Sequence, residues 1–311
     1  MIIHAMTEKV ALPSGACALP QLGVIAAEGP EAASFLHGQL TQDFSLLDGT
    51  QARLSALCTA KGRMIASFVG IRPQPETILL VCSRDILAAT LKRLSMFVLR
   101  AKLKLRDASG EFALYGLAGD ALPANGIPAT GAPWHRSVKG EASVVSLYPA
   151  GDVPRALWIA PAGTPAPVGP GLDPALWAWS EIESGVATLT TPVLDAFVPQ
   201  MLNYESIGGV NFKKGCYPGQ EVVARSQFRG TLKRRAYVVQ APAPVAAGQE
   251  VFAASDAEQP VGTVVQAAPA PDGSWSAIVS MQIAALGAGP LRAGEVPLSV
   301  QPLPYELLAD I

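Results

Sequence analysis

The chain has 311 residues, 50% of them hydrophobic and 15% charged, with 23 Lys and Arg against 25 Asp and Glu for a net charge of -2. This composition supports a sizeable core, excludes a disordered chain and suggests about two domains. It supplies no global positive field to draw the molecule onto nucleic acid.

No run of about 20 apolar residues occurs, so no membrane span is expected, and residues 1–11 lack the apolar centre of a signal peptide. Cys17, Cys58, Cys82 and Cys216 lie far apart and form no C-x-x-C pair. A zinc site or a disulfide framework is therefore not expected, and reduced thiols in the cytoplasm are the simplest state. His4, His37 and His135 are scattered, which leaves little material for a His-based metal site or a Ser-His-Asp arrangement.

Residues 23–27 read as a short apolar strand. Gly29-Pro30-Glu31 reads as a helix start, with Leu36, Leu40 and Phe44 at helical spacing. Residues 53–59 alternate as a strand, Lys61-Gly62 marks a turn, and residues 64–71 and 77–82 are further strands. Residues 83–96 predict a helix with Leu87, Leu91 and Leu94 on one face and Ser83 able to cap it. Residues 99–106 alternate as a half-buried strand with a cationic outer face. Residues 149–175, rich in Pro, Gly and Ala, read as a long loop or linker broken by a strand-like 156–160. Cys17 falls in a Pro/Gly-rich N-terminal loop. Residues 174–184 predict a helix ended by Gly185. After Arg235, short strands at 237–240, 250–253, 261–266, 276–281 and 296–300 predict a small all-β barrel or sandwich. The pattern is α+β rather than a doubly wound parallel sheet, divided into an N-terminal module over 1–230 and a C-terminal module over 231–311.

The chemistry concentrates at Lys213-Lys214-Gly215-Cys216-Tyr217-Pro218-Gly219-Gln220-Glu221. Tyr217 to Gln220 fits a type II turn, with Pro at the first central position and Gly at the second. A short helix follows. Two lysines and a helix N-terminus favour a thiolate at Cys216; a buried structural cysteine beside a tight turn fits the same residues equally well. The run Arg225, Arg229, Lys233, Arg234, Arg235 contains no acid, and without interleaved aromatics it gives little support to single-strand binding.

Lys214 to Glu221 resembles the K-G-C-Y-x-G-Q-E signature of the YgfZ/GcvT-related folate-binding family. Residues 35–43 (FLHGQLTQD), Lys61-Gly62-Arg63-Met64, Glu183-Ser184-Gly185 and Arg229-Gly230 with Lys233-Arg234 resemble further family segments in the same order. The resemblance spans about residues 20–300. It implies an aminomethyltransferase-like folate-binding domain of intertwined ferredoxin-like units, followed by a small β-barrel. It also implies a tetrahydrofolate-binding accessory protein for iron–sulfur cluster assembly or repair, indirectly supporting iron–sulfur enzymes such as tRNA-modifying ones. The implied partners are folate and iron–sulfur proteins or assembly factors. Nucleic acid and membrane are not expected as partners, and a cytoplasmic monomer is expected.

The resemblance makes Glu183 the carboxylate that pairs with the pterin, because a carboxylate accepts two adjacent N–H groups at once. Lys213, Lys214, Arg225 and Arg229 would meet the anionic folate tail. Asn203, Tyr204 and Tyr217 would line the site. Cys216 would be a redox-active thiol or a transient contact to a cluster or partner; one cysteine is no complete cluster site. The related aminomethyltransferases carry an acidic pair where this chain has residues 62–69, a stretch without any carboxylate. General acid–base work on folate needs such a group. Aminomethyl transfer is therefore not expected, and folate-dependent one-carbon transfer stands as the alternative function. A third possibility is an interaction module that uses the basic run.

Overall fold

A computed structural model describes residues 14–229, 232–256 and 258–308. Residues 1–11, with His4, and Gly230 lie outside the described residues. In chain order the elements are β1 (Gly15–Ala18), β2 (Leu22–Glu28), α1 (Ala32–Gln39), β3 (Ala52–Cys58), β4 (Met64–Gln74), β5 (Thr77–Ser83), α2 (Arg84–Ser95), β6 (Lys104–Asp107), β7 (Phe112–Ala118), α3 (Ala121–Ala124), β8 (Arg136–Lys139), β9 (Ala142–Ala150), β10 (Val153–Pro161), α4 (Pro174–Glu183) and α5 (Gln220–Phe228). Six strands follow: β11 (Arg234–Ala241), β12 (Glu250–Ala253), β13 (Gly262–Pro269), β14 (Trp275–Gln282), β15 (Leu291–Ala293) and β16 (Val296–Gln301).

The first two-thirds of the chain form two five-stranded sheets, ordered β3-β4-β5-β2-β6 and β1-β7-β10-β9-β8, with antiparallel pairing between neighbours. The last six strands close a barrel in the order β11-β14-β13-β12-β15-β16. This is an α+β architecture with a C-terminal antiparallel barrel. β2 shows why the first sheet lies inside the molecule. Its near-continuous apolar run LGVIAAE splits by alternation: Ile25 and Ala27 pack beneath α1 and α2, while Val24 and Ala26 pack towards the second sheet. A strand buried on both faces needs no polar alternation, and each Val or Ile so covered contributes about 1.5–3 kcal/mol.

Three expectations are corrected. Residues 149–175 are not a linker: β9 and β10 form a hairpin that carries the chain into the middle of the second sheet, with a bulge between Val153 and Arg155. Residues 99–106 do not extend as one strand. Leu99 is 88% exposed at φ +39, turns follow it, and pairing to β2 begins only at Lys104. Cys17 is not in a loop; β1 pairs it opposite Gly116 and buries it. A fourth, smaller difference concerns α2, where the Ser83 hydroxyl donates to Asp85 Oδ1 at 2.7 Å and does not cap the helix.

A segment after the barrel, residues 302–308, returns to the first part of the chain. The Tyr305 hydroxyl donates to the Gly185 carbonyl at 2.8 Å and receives Asn203 Nδ2 at 3.2 Å. Leu308 accepts from Arg235 Nη2 at 3.0 Å and donates to Ser206 Oγ at 3.0 Å. The buried ion pair Arg235–Glu205, at 2.5 Å, ties the first barrel strand to the same place.

Candidate functional site

α4 begins at Asp173, whose carboxylate accepts from Ala175 N at 2.7 Å, with Pro174 in the first turn. These N-terminal devices fix the start of a helix that separates the two sheets from the barrel. Side chains at i, i+4 and i+7 share a face. Trp177, Glu181 and Ser184 therefore point together into a cavity between the sheets. Trp179 and Glu183 point the other way. The Trp179 indole donates to Ser276 Oγ of β14 at 3.0 Å, and Glu183 lies with these two groups, its carboxyl pushed up by burial against their hydrogen bonds.

The cavity has aromatic walls. Trp134 and Tyr148 meet edge to face at 6.0 Å, and Tyr148 meets Tyr305 in the same way at 5.5 Å. Trp134 holds φ +68, a backbone conformation costly for a bulky residue. Its N–H donates to Ser146, its carbonyl accepts from Ala52, and its indole donates to Ile207 O at 2.8 Å. Tyr204, on the wall, donates to Ala187 O at 2.7 Å.

One charged pair reaches this apolar space. Arg155, on β10, is 3% exposed. Its guanidinium lies over the Trp177 ring at 4.4 Å, one Nη donates at 3.3 Å to the Tyr148 carbonyl, and its Nε has no partner. Burial pulls it down to about 10 against the attraction of Glu181. The Trp177 indole N–H faces Glu181 one turn along α4 and favours its charged form. Burial pushes the Glu181 carboxyl up, and the Arg155 charge opposes that rise. Ser67 lines the same cavity and accepts from Leu189 N at 2.9 Å; it belongs to the acid-free stretch 62–69.

The signature segment builds a different object. Gly219, at φ +81 and ψ 2, completes the type II turn, with Gln220 N donating to Tyr217 O at 3.2 Å, and α5 starts at once. The turn sits backbone to backbone on the Lys61-Gly62 turn: a Cβ on Gly219 would lie 2.4 Å from Thr59 O and 2.7 Å from Gly62 Cα. Lys214 is buried. Its ammonium donates to the carbonyls of His37 and, at 2.9 Å, Leu40, and it lies over the Tyr217 ring at 4.5 Å. It thus satisfies the C-terminal end of α1. Burial brings it down to about 8 against the attraction of Asp43. Asp43 in turn meets His37 Nδ1 at 2.9 Å. Cys216 is exposed, while Cys17, Cys58 and Cys82 are buried.

The sequence-derived residues thus fall in separate places. Tyr204 lines the cavity. Glu183 faces the barrel, and Asn203 pairs through its side-chain amide with both backbone groups of Ala236. Lys214, Cys216 and Tyr217 surround the end of α1. Arg225 pairs with Glu221 at 2.6 Å on the exposed face of α5, and Lys213 and Arg229 are exposed. Trp134, Tyr148, Arg155, Trp177 and Glu181 were not singled out from sequence. Three of them carry a sequence signal: a lone arginine, Arg155, inside the apolar strand VPRALWIAP, and the helical spacing of Trp177 and Glu181 along α4. Among the described residues no group of three or more His, Cys, Asp or Glu could hold a metal ion, and no helix is long and apolar enough to cross a membrane.

Paired sheets, a closed barrel and a cavity beside the connecting helix define an aminomethyltransferase-like fold. The glycine cleavage system aminomethyltransferase T of Bartonella henselae superposes with a TM-score of 0.70 over 95% of this chain and 87% of that one, at 17% identity, a likeness of fold alone. No family model matches the chain. Sequence relatives are closer. The tRNA-modifying protein YgfZ of Edwardsiella ictaluri is 31% identical over 300 residues, covering 89% of this chain and 88% of the relative. That of Sodalis glossinidius is 30% identical over 315 residues, covering 95% and 94%. The chain belongs to the YgfZ family.

Proposed function

We propose that this protein binds tetrahydrofolate or a derivative in the cavity between its two sheets, and serves as a cytoplasmic accessory factor for iron–sulfur cluster assembly or repair. Through that role it would support iron–sulfur enzymes, including those that modify tRNA. The relatives' name, tRNA-modifying protein, agrees with this outcome. One observation carries the ligand: an aromatic-walled cavity contains a buried arginine nitrogen without a partner. Buried polar groups in folded proteins are normally satisfied, and a flat heteroaromatic ring with a polar edge would supply the missing acceptor. Calorimetry with tetrahydrofolate tests it, and absence of binding by the wild-type protein refutes it.

Cys216 is the proposed thiol for transient contact with a partner or its cluster. Its exposure and its place after Lys213 and Lys214 support that role. Cys216→Ser should fail to restore iron–sulfur enzyme activity in a deletion strain; full restoration would make the cysteine structural.

Folate-dependent one-carbon transfer is the second reading. The acid-free stretch 62–69, with Ser67 on the cavity wall, speaks against the aminomethyl reaction, and the presence of Glu181 on the same wall is the one observation in its favour. No turnover is expected in a reconstituted glycine-cleavage assay. Robust turnover that Glu181→Gln abolishes would establish the second reading.

A further inference from the structure

We infer that Glu181 and Arg155, rather than Glu183, read the pyrimidinone edge of the ligand. This rests on the folate proposal and names the part of the molecule that the cavity recognises.

A 2-amino-4-oxo-pyrimidine presents three groups in a row: a carbonyl acceptor, a ring N–H and an exocyclic amine. Its complement is one donor beside a two-oxygen acceptor. The cavity supplies that pair from two elements. Arg155 comes from β10 with a free Nε–H, and Glu181 comes from α4 with a carboxylate on the cavity wall. The guanidinium is already fixed by its stacking on Trp177 and its contact with the Tyr148 carbonyl. A pre-positioned donor loses little freedom on binding.

The Arg155 side chain is the unusual feature. A buried arginine normally has a carboxylate in hydrogen-bond contact. Arg155 is 3% exposed with one weak backbone contact, and no ion pair between it and Glu181 falls within 4.0 Å among the described residues. Both groups line the cavity, and each feels the other's charge. A ligand edge inserted between them takes the carbonyl bond from arginine and gives two N–H bonds to glutamate. Glu183 cannot share that edge, because two positions along a helix turn its side chain to the barrel, beside Trp179 and Ser276.

Calorimetry with tetrahydrofolate under reducing conditions tests the assignment on four proteins. Glu181→Gln and Arg155→Met should each weaken binding at least about tenfold, the expected result of losing a charge-assisted hydrogen bond. Glu183→Gln should stay within about threefold of wild type. A ligand change guards against misfolded variants: the 2-desamino-2-methyl analogue removes the exocyclic amine and with it one of the two donors to the carboxylate. It should lose about tenfold on wild type and Glu183→Gln, and nothing further on Glu181→Gln. Binding by wild type with Glu181→Gln unaffected, or with the loss on Glu183→Gln, overturns this assignment and leaves the folate proposal standing. No binding by wild type overturns the folate proposal and this one with it.

Discussion

The cavity and the loop that carries Cys216 treat polar groups in opposite ways. In the cavity, an arginine nitrogen is buried without a partner. In the loop, Lys214 is buried with two carbonyls and an aromatic face, and Asp43 holds His37, Ser45 and the backbone N–H of Leu46. One region leaves a buried guanidinium nitrogen without an acceptor; the other holds its charged groups in protein contacts and presents one thiol. A dense sequence motif therefore marks where the chain is most constrained by its own contacts. The place that a small molecule would complete is assembled from residues that form no motif.

The two regions carry the same residue type, which gives the largest expected difference. Cys82 lines the cavity and burial pushes its thiol up to about 12, as it does that of Cys58. Cys216 should be alkylated at neutral pH at least about a hundredfold faster than either. Mass-spectrometric labelling of the native protein checks this, and equal rates would erase the contrast.

Two glycine substitutions separate the regions next. Gly219→Ala forces a side chain at φ +81 against the Lys61-Gly62 turn and should cost about 3 kcal/mol, while folate affinity in the folded protein stays unchanged. Gly116→Ala pushes a methyl to within 2.5 Å of the Trp177 ring. It should cost about 2 kcal/mol and weaken the ligand. Urea unfolding and calorimetry on both variants test the division; a shared effect on affinity would join the two regions.

Lys214 offers a smaller, pH-dependent effect. Its folded value is about 8 against an ordinary 10.5. Between those values the unfolded chain binds the proton more, so this group's contribution to stability rises with pH across that window and is flat below and above it. The stability of wild type relative to Lys214→Met should therefore increase from about pH 8 to about 10.5. A constant difference across that range would mean that the ammonium is well hydrated in the folded state. The smallest effect belongs to the exposed Arg225–Glu221 pair, where Glu221→Gln should change stability by about 0.5 kcal/mol or less.

Local signals made much of the fold legible. The apolar run of β2, the periodicity of α2, Pro174 and Gly185 around α4, the Pro218-Gly219 turn and the strand-and-turn pattern after Arg235 all depend on neighbours in sequence. Of the β9–β10 hairpin only the strand-like 156–160 showed, because Pro149, Gly151 and Pro154 crowd its turn and bulge, and its stability comes from pairing with β7. Residues 99–106 misled in the opposite sense: the alternation is present, but the chain turns before it reaches a partner strand. The signature cysteine and its type II turn were legible for the same local reason. The cavity was not, since Trp134, Arg155 and Glu181 come from three distant segments, and nothing in the sequence specifies how α4 is rotated between sheets and barrel.

The contacts of residues 302–308 bear on how such a protein can be recombined. Tyr305 reaches Gly185, Asn203 and the ring of Tyr148, and Arg235 reaches both Glu205 and Leu308. The barrel is thus stitched to its neighbour on both sides of its own strands. A chimaera that exchanged residues 232–301 between two relatives would part Arg235 from both Glu205 and Leu308 unless residues 203–206 and 302–308 travelled with them. The barrel and the wall beside the cavity are inherited as one piece.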